Sequence, residues 1–108
     1  DVVAHIDHAV KLCGEDHVGI GTDGSVTQID DLNKYAAALA KENADRRAAG
    51  IAAAGEGPDT YPFVVDLRGP DQFRKLARLL AEKGYTPRQI DKILGLNFLR
   101  FATDIWGA

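Results

Sequence analysis

Only one stretch of the chain, His17 to Thr22, alternates like a β-strand, with Val18 and Ile20 set between small or polar residues. Every other strongly patterned segment reads as helix. A lone strand is a physical difficulty. It has no neighbour for its backbone N–H and C=O groups, and burying those groups unpaired is costly. The glycines at 19 and 21 within it imply close approach by other groups. The segment is therefore expected to be the last strand of a larger parallel sheet or barrel whose other strands lie upstream. The start at Asp1 and the absence of Met point the same way, to a processed, excised or truncated chain.

Around that strand the helical signals are clear. Val2, Val3, Ile6, Val10 and Cys13 recur at helical spacing over residues 2–13, with Gly14 placed as the cap. After a polar loop over 24–31, an alanine-rich helix is expected over about 31–49. Its apolar stripe is weak, so it reads as a surface excursion. Gly and Pro mark 50–62 as a loop, and Phe63-Val64-Val65 suits a short extended segment. Phe73, Leu76, Leu79 and Leu80 line a helix over 71–83 that Gly84 stops. Thr86, Pro87 and Gln89 then spell an N-cap, a first helical residue and a capping-box partner. Ile90, Ile93 and Leu94 are the expected buried face of a short helix ended by Gly95, and a last apolar helix follows from Asn97 to Ile105.

Composition sets outer limits. With 108 residues, 45% hydrophobic and 27% charged, the chain can build one small core and does not read as disordered. The net charge of −3 argues against a nucleic-acid partner, which calls for a basic face. No apolar run approaches the roughly 20 residues of a membrane span. A single cysteine, Cys13, excludes an internal disulfide and a CxxC zinc pair, and its place on the helical stripe makes it an expected core thiol.

Four features bear on chemistry. Asp23 stands where the apolar strand runs out into a Gly-bearing loop, a position at which a barrel presents catalytic or substrate-binding groups. It is equally suited to a turn, since Asp-Gly is a common turn pair. Gly19, Gly21 and Gly24 match G-x-G-x-x-G, but no helix starts directly after Gly24, and Asp23 would put a carboxylate inside a phosphate cradle. His5, Asp7 and His8 form H-x-D-H on the first helix. Two imidazoles without a third ligand make a poor metal site, so these histidines, like His17, are expected to be structural, His5 and His8 partly buried. Residues 84–101 resemble a helix-turn-helix in outline, with Arg88, Lys92 and Arg100 basic, but Asp91 and Asp104 dilute the charge and packing is the plainer role.

Taken together, HIDHAVKLCGEDHVGIGTD, the helix at 71–83 and YTPRQIDKILGLNFLRF resemble the C-terminal third of the membrane (renal) dipeptidase family. The first segment is similar to that family's helix and last barrel strand. The last is similar to its closing pattern Y-T/S-x-x-x-I-x-K-I-L-G-G-N-x-L-R. The resemblance implies an α/β fold, the C-terminal portion of a (β/α)8 TIM-like barrel, mostly helical as an isolated piece. On that division 1–23 are a helix and the last strand, 24–68 an excursion and loop, and 69–108 the closing helices. It also implies a zinc-dependent dipeptidase with two zinc ions held by upstream residues, a metal-activated hydroxide attacking the peptide bond, and a possible homodimer. Asp23 matches the aspartate that closes the last strand. The resemblance makes it the catalytic and substrate-binding residue, contacting the dipeptide's amino group and relaying a proton to the leaving amine. No metal ligand maps onto this chain, which is expected to need the upstream part of the same barrel and to be inactive alone. Two departures stand out: Gly24-Ser25 directly follows Asp23, where many relatives continue F-D-G, and Leu96 replaces the second glycine before Asn97. The alternative is a stand-alone helical interaction module derived from such an enzyme, without catalysis.

Overall fold

The structure, a computed structural model, describes residues 2–24 and 26–107. Its elements are α1 (Val2–Cys13), α2 (Leu32–Ala48), α3 (Gln72–Lys83), α4 (Pro87–Asp91), a π-turn (Lys92–Leu96) and α5 (Asn97–Trp106). No strand occurs among the described residues. This corrects the expected α/β fold and the barrel portion inferred from it: the chain folds as helices. The reason lies at residues 17–22. No second strand is present among the described residues to complete a ladder, so the stretch stays irregular. One of its carbonyls, Val18 O, is satisfied instead by a side chain, the Asn97 amide at 2.8 Å. Phe63-Val64-Val65 is likewise a turn, not an extended run, closed by Leu67 N–H donating to Val64 O at 3.0 Å.

The chain divides into two compact units, residues 1–22 with 71–108, and residues 23–70. In the first, α1 packs on α3 and α3 on α4. Ile6, Val18, Leu76, Leu80, Ile90 and Ile93 are buried, with Leu80 and Ile93 fully so. Helix ends follow local chemistry. Gly84 takes a left-handed φ of 105° to cap α3. The Thr86–Gln89 capping box forms in both directions, with Pro87 opening α4. Gly95, expected as a terminator, is a kink: with φ 179° and ψ −38° it widens the turn, so Asn97 N–H reaches back to Lys92 O and the chain continues into α5.

Burial departs from expectation at Cys13, His5 and His8. Cys13 is exposed, because the stripe that packs is centred on Ile6 and Cys13 lies about two turns further along α1. His5 and His8 are exposed too, and the working residue of H-x-D-H is the central one. Asp7 accepts from Tyr85 OH at 3.0 Å and from Lys11 Nζ at 2.7 Å, tying α1 to the turn after α3. The hydrogen bond from Lys11 holds the Asp7 carboxyl below its ordinary range, and burial together with Asp7 pushes the Tyr85 phenol up. On α5, expected as an apolar helix with no burial assigned to it, Phe98, Leu99, Phe101, Ile105 and Trp106 are all exposed.

Asn97 closes this unit. Its amide donates to Glu15 O at 2.7 Å and to Val18 O, joining the segment after α1 to the start of α5. Asp16 adds ion pairs with Lys92 at 2.9 Å and Arg100 at 3.8 Å, and Arg100 also donates to Asp16 O. The Lys92 hydrogen bond lowers the Asp16 pKa against the opposing effect of burial.

Replacing Asn97 with Ala removes both donors while leaving two carbonyls facing apolar surroundings, an expected loss of about 2 kcal/mol in urea unfolding of this unit. Acid is expected to weaken it as well. The Asp7 and Asp16 pKa values are depressed by folding, so the unfolded chain takes up protons first. Their stabilisation is present above about pH 4 and is lost as pH falls through the folded-state values. Asp16→Asn is expected to flatten that acid limb in unfolding curves recorded across the range.

Candidate functional site

The second unit is built around α2. Asp31 caps it, its carboxylate accepting from Lys34 N–H at 2.9 Å, and Arg46 and Arg47 sit in the last turn where the helix dipole favours them. The long loop after α2 is held by side chains of the helix. Asn43, buried, donates to Gly57 O at 3.0 Å and to Thr60 O at 3.2 Å. Arg46 pairs with Glu56 at 2.9 Å, and Glu56 in turn accepts from Ala53 N–H. These contacts hold Glu56 below the ordinary range for a glutamate, Arg46 contributing most. The loop so fixed returns Tyr61 and Phe63 to the first turn of α2. There Tyr35 stacks on Tyr61 with ring centres 6.3 Å apart and meets Phe63 at 5.5 Å.

Beside these rings lies a cleft of about 680 Å³, contained within this unit and lined among others by Asp23, Asp30, Lys34, Tyr35, Phe63 and Arg68. That volume is in the range of small-molecule sites. Asp23, the residue singled out from the sequence, stands here with a left-handed φ of 50°. Aspartate is among the few non-glycine residues that adopt this conformation. The turn reading and the site reading of Asp23 are therefore compatible: the residue turns the chain and lines the cleft. Its side chain has no hydrogen-bond partner among the described residues.

Several charges of the cleft stand outside any ion pair, as do Glu42, Asp59 and Asp66 elsewhere in this unit among the described residues. Lys41–Asp45 and Arg46–Glu56 form ion pairs, whereas Asp23, Asp30, Lys34 and Arg68 take part in none among the described residues. Arg68 donates to Val65 O through one guanidinium nitrogen, which leaves further donors of its fork. Sequence reasoning missed Lys34, Tyr35, Phe63 and Arg68, all in the span read as an excursion. Aromatic residues flanking a Gly/Pro loop were the signal that was there to be found.

The remaining candidates have structural places. Gly19, Gly21 and Gly24 precede no helix, since α2 begins only at Leu32. Gly19 instead lies under the Phe98 ring: a Cβ there would meet the ring edge at 2.4 Å. His17 Nδ1 lies 2.9 Å from Cys13 O at the end of α1. In the segment read as a possible helix-turn-helix, Lys92 and Arg100 are engaged by Asp16. A smaller hollow of about 250 Å³ at Asp16, Gly19, Asn97 and Phe101 is bordered by those structural contacts. Among the described residues no three His, Cys, Asp or Glu side chains converge to hold a metal. No helix among them is long and apolar enough to cross a membrane. No protein-family model matches the chain, and no solved structure matches it.

Because Asn43 ties the 57–60 turn to α2, Asn43→Ala is expected to raise amide hydrogen exchange across residues 57–63 by tenfold or more. Exchange in α3 should stay unchanged.

Proposed function

We propose that this chain is the C-terminal part of a zinc-dependent dipeptidase, with the metal ions held by protein outside these 108 residues and no catalysis by the chain alone. One observation carries the reading: the two motif segments that resemble the family are joined through the residues that make the motif specific. Asn97 and Arg100, the Asn and Arg of the closing pattern, hold the backbone at Glu15, Asp16 and Val18, shortly before Asp23. The Asn and Arg of that pattern thereby have a structural role within the first unit.

In this reading Asp23 holds the ammonium group of a dipeptide and passes a proton to the departing amine. Its position in a cleft of small-molecule size and the absence of any internal partner for its carboxylate favour that role over a purely structural one. A second reading has its own observation. The exposed apolar side of α5, where Phe98, Phe101 and Ile105 are each more than half exposed, suits a helical interaction module without catalysis.

Tagging the natural gene product at its C-terminus and sizing it separates the two. A barrel-sized or larger product that hydrolyses dipeptides supports the enzyme, and a product of this size without activity supports the module. In the active protein, Asp23→Asn is expected to lower turnover on the order of a hundredfold while bound zinc stays near wild type. Unchanged turnover would overturn the role given to Asp23.

A further inference from the structure

We infer that the peptide between Asp23 and Gly24 is a site of spontaneous covalent modification, at which aspartate converts through a cyclic succinimide to isoaspartate. Water is the only reactant that comes from outside the chain.

The first step is intramolecular. The main-chain nitrogen of Gly24 attacks Cγ of the protonated Asp23 carboxyl and forms an N–Cγ bond. The carboxyl OH and the amide hydrogen leave together as water, and a five-membered ring remains. Water then adds to one of the two ring carbonyls. Opening at Cγ restores aspartate. Opening at the main-chain carbonyl leaves the chain running through Cβ, with the former main-chain carbon as the free carboxylate. One water leaves and one returns, and nothing is oxidised or reduced.

Two requirements select Asp23. The following residue must let the ring close, and among the aspartates of the chain only Asp23 precedes a glycine. Glycine has no Cβ to obstruct the rotation that brings its nitrogen onto the carboxyl. The carboxyl must also be free to swing towards the backbone. Asp7, Asp16 and Asp31 are held by Tyr85, Lys92 and the Lys34 N–H, and Asp45 and Asp71 by Lys41 and Arg74. Asp7, Asp45, Asp91 and Asp104 lie within helices, where the helical hydrogen bonds hold the nitrogen that would attack. Asp23 is exposed and stands outside every helix, and its carboxylate has no partner among the described residues. Its left-handed φ of 50° marks a turn, and it lines an open cleft, so water reaches the ring for the second step.

The product has one more main-chain atom at residue 23 and a displaced carboxylate. That this ends activity rests on the dipeptidase reading; the isomerisation itself does not.

The test incubates the natural gene product for weeks at about pH 5, where a share of ordinary aspartate is protonated. The protein is then digested and isoaspartate is mapped by electron-transfer fragmentation, which separates the two isomers of equal mass. Isoaspartate at residue 23 is expected to exceed that at any other aspartate by on the order of tenfold, with a form of the same peptide lighter by one water. Gly24→Ala restores a Cβ and should lower both products by on the order of tenfold. Asp23→Glu keeps the charge but needs a six-membered ring, and the lighter form should disappear. Isoaspartate spread evenly over the aspartates, none at residue 23, or an undiminished lighter form in either variant would each overturn the inference. Dipeptide hydrolysis is followed in parallel. Isoaspartate that accumulates at residue 23 while hydrolysis is absent or unaltered leaves the inference standing and removes the role given to Asp23. An unchanged Asp23 in an active dipeptidase does the reverse.

Discussion

The first unit depends on the side-chain amide of Asn97. Its two hydrogen bonds, to Glu15 O and Val18 O, join segments about eighty residues apart in the chain. Without a sheet, the carbonyls of the stretch after α1 have no ladder to enter, and a buried carbonyl that finds no donor is expensive. One amide supplies both donors, and Asp16 then gathers Lys92 and Arg100 around the same junction. Val18, whose backbone Asn97 ties to the start of α5, is buried, as are Ile90 and Ile93.

The second unit solves a similar problem by the same means. Its long loop has no regular structure to satisfy its backbone, and Asn43 supplies donors to Gly57 O and Thr60 O. Arg46 and Glu56 hold the other side of that loop. In both units a buried asparagine on a helix does work that a neighbouring strand would otherwise do. No buried side-chain polar atom among the described residues lacks a partner. The difference lies in what surrounds the anchor. Ion pairs of Asp16 with Lys92 and Arg100 flank the Asn97 junction, whereas beside the loop held by Asn43 the cleft residues Asp23, Asp30, Lys34 and Arg68 take part in none among the described residues.

Much of the helical pattern was legible because its determinants are local. The stripe from Val2 to Cys13, the Gly84 cap and the Thr86–Gln89 box act within a few residues, and the helices form where those signals stand. The strand over 17–22 was not legible in the same sense. Alternation of Val18 and Ile20 shows that the segment suits an extended backbone, but a strand exists only when a second one pairs with it. Gly95 failed for a related reason. Glycine weakens a helix without dictating its end, and here the chain bends through it because Ile93 on one side and Asn97 on the other are both anchored in the core. Cys13 and the two histidines show that a stripe predicts a face and not how far along that face the partner helix extends.

The sequence by itself determined most helix positions and caps, and that Asp23 stands at the exit of an apolar run. Those are properties of neighbouring residues, set by backbone sterics, capping and side-chain spacing. Only the tertiary structure decided that Asn97 is a bridge and not a cap, that Asp7 rather than His5 or His8 is the working member of its motif, and that Asp23, Lys34, Tyr35, Phe63 and Arg68 line one cleft. Each of these is a meeting of residues distant in the chain. It depends on which polar group finds a partner once the apolar residues are buried, and that outcome is settled by competition across the whole fold.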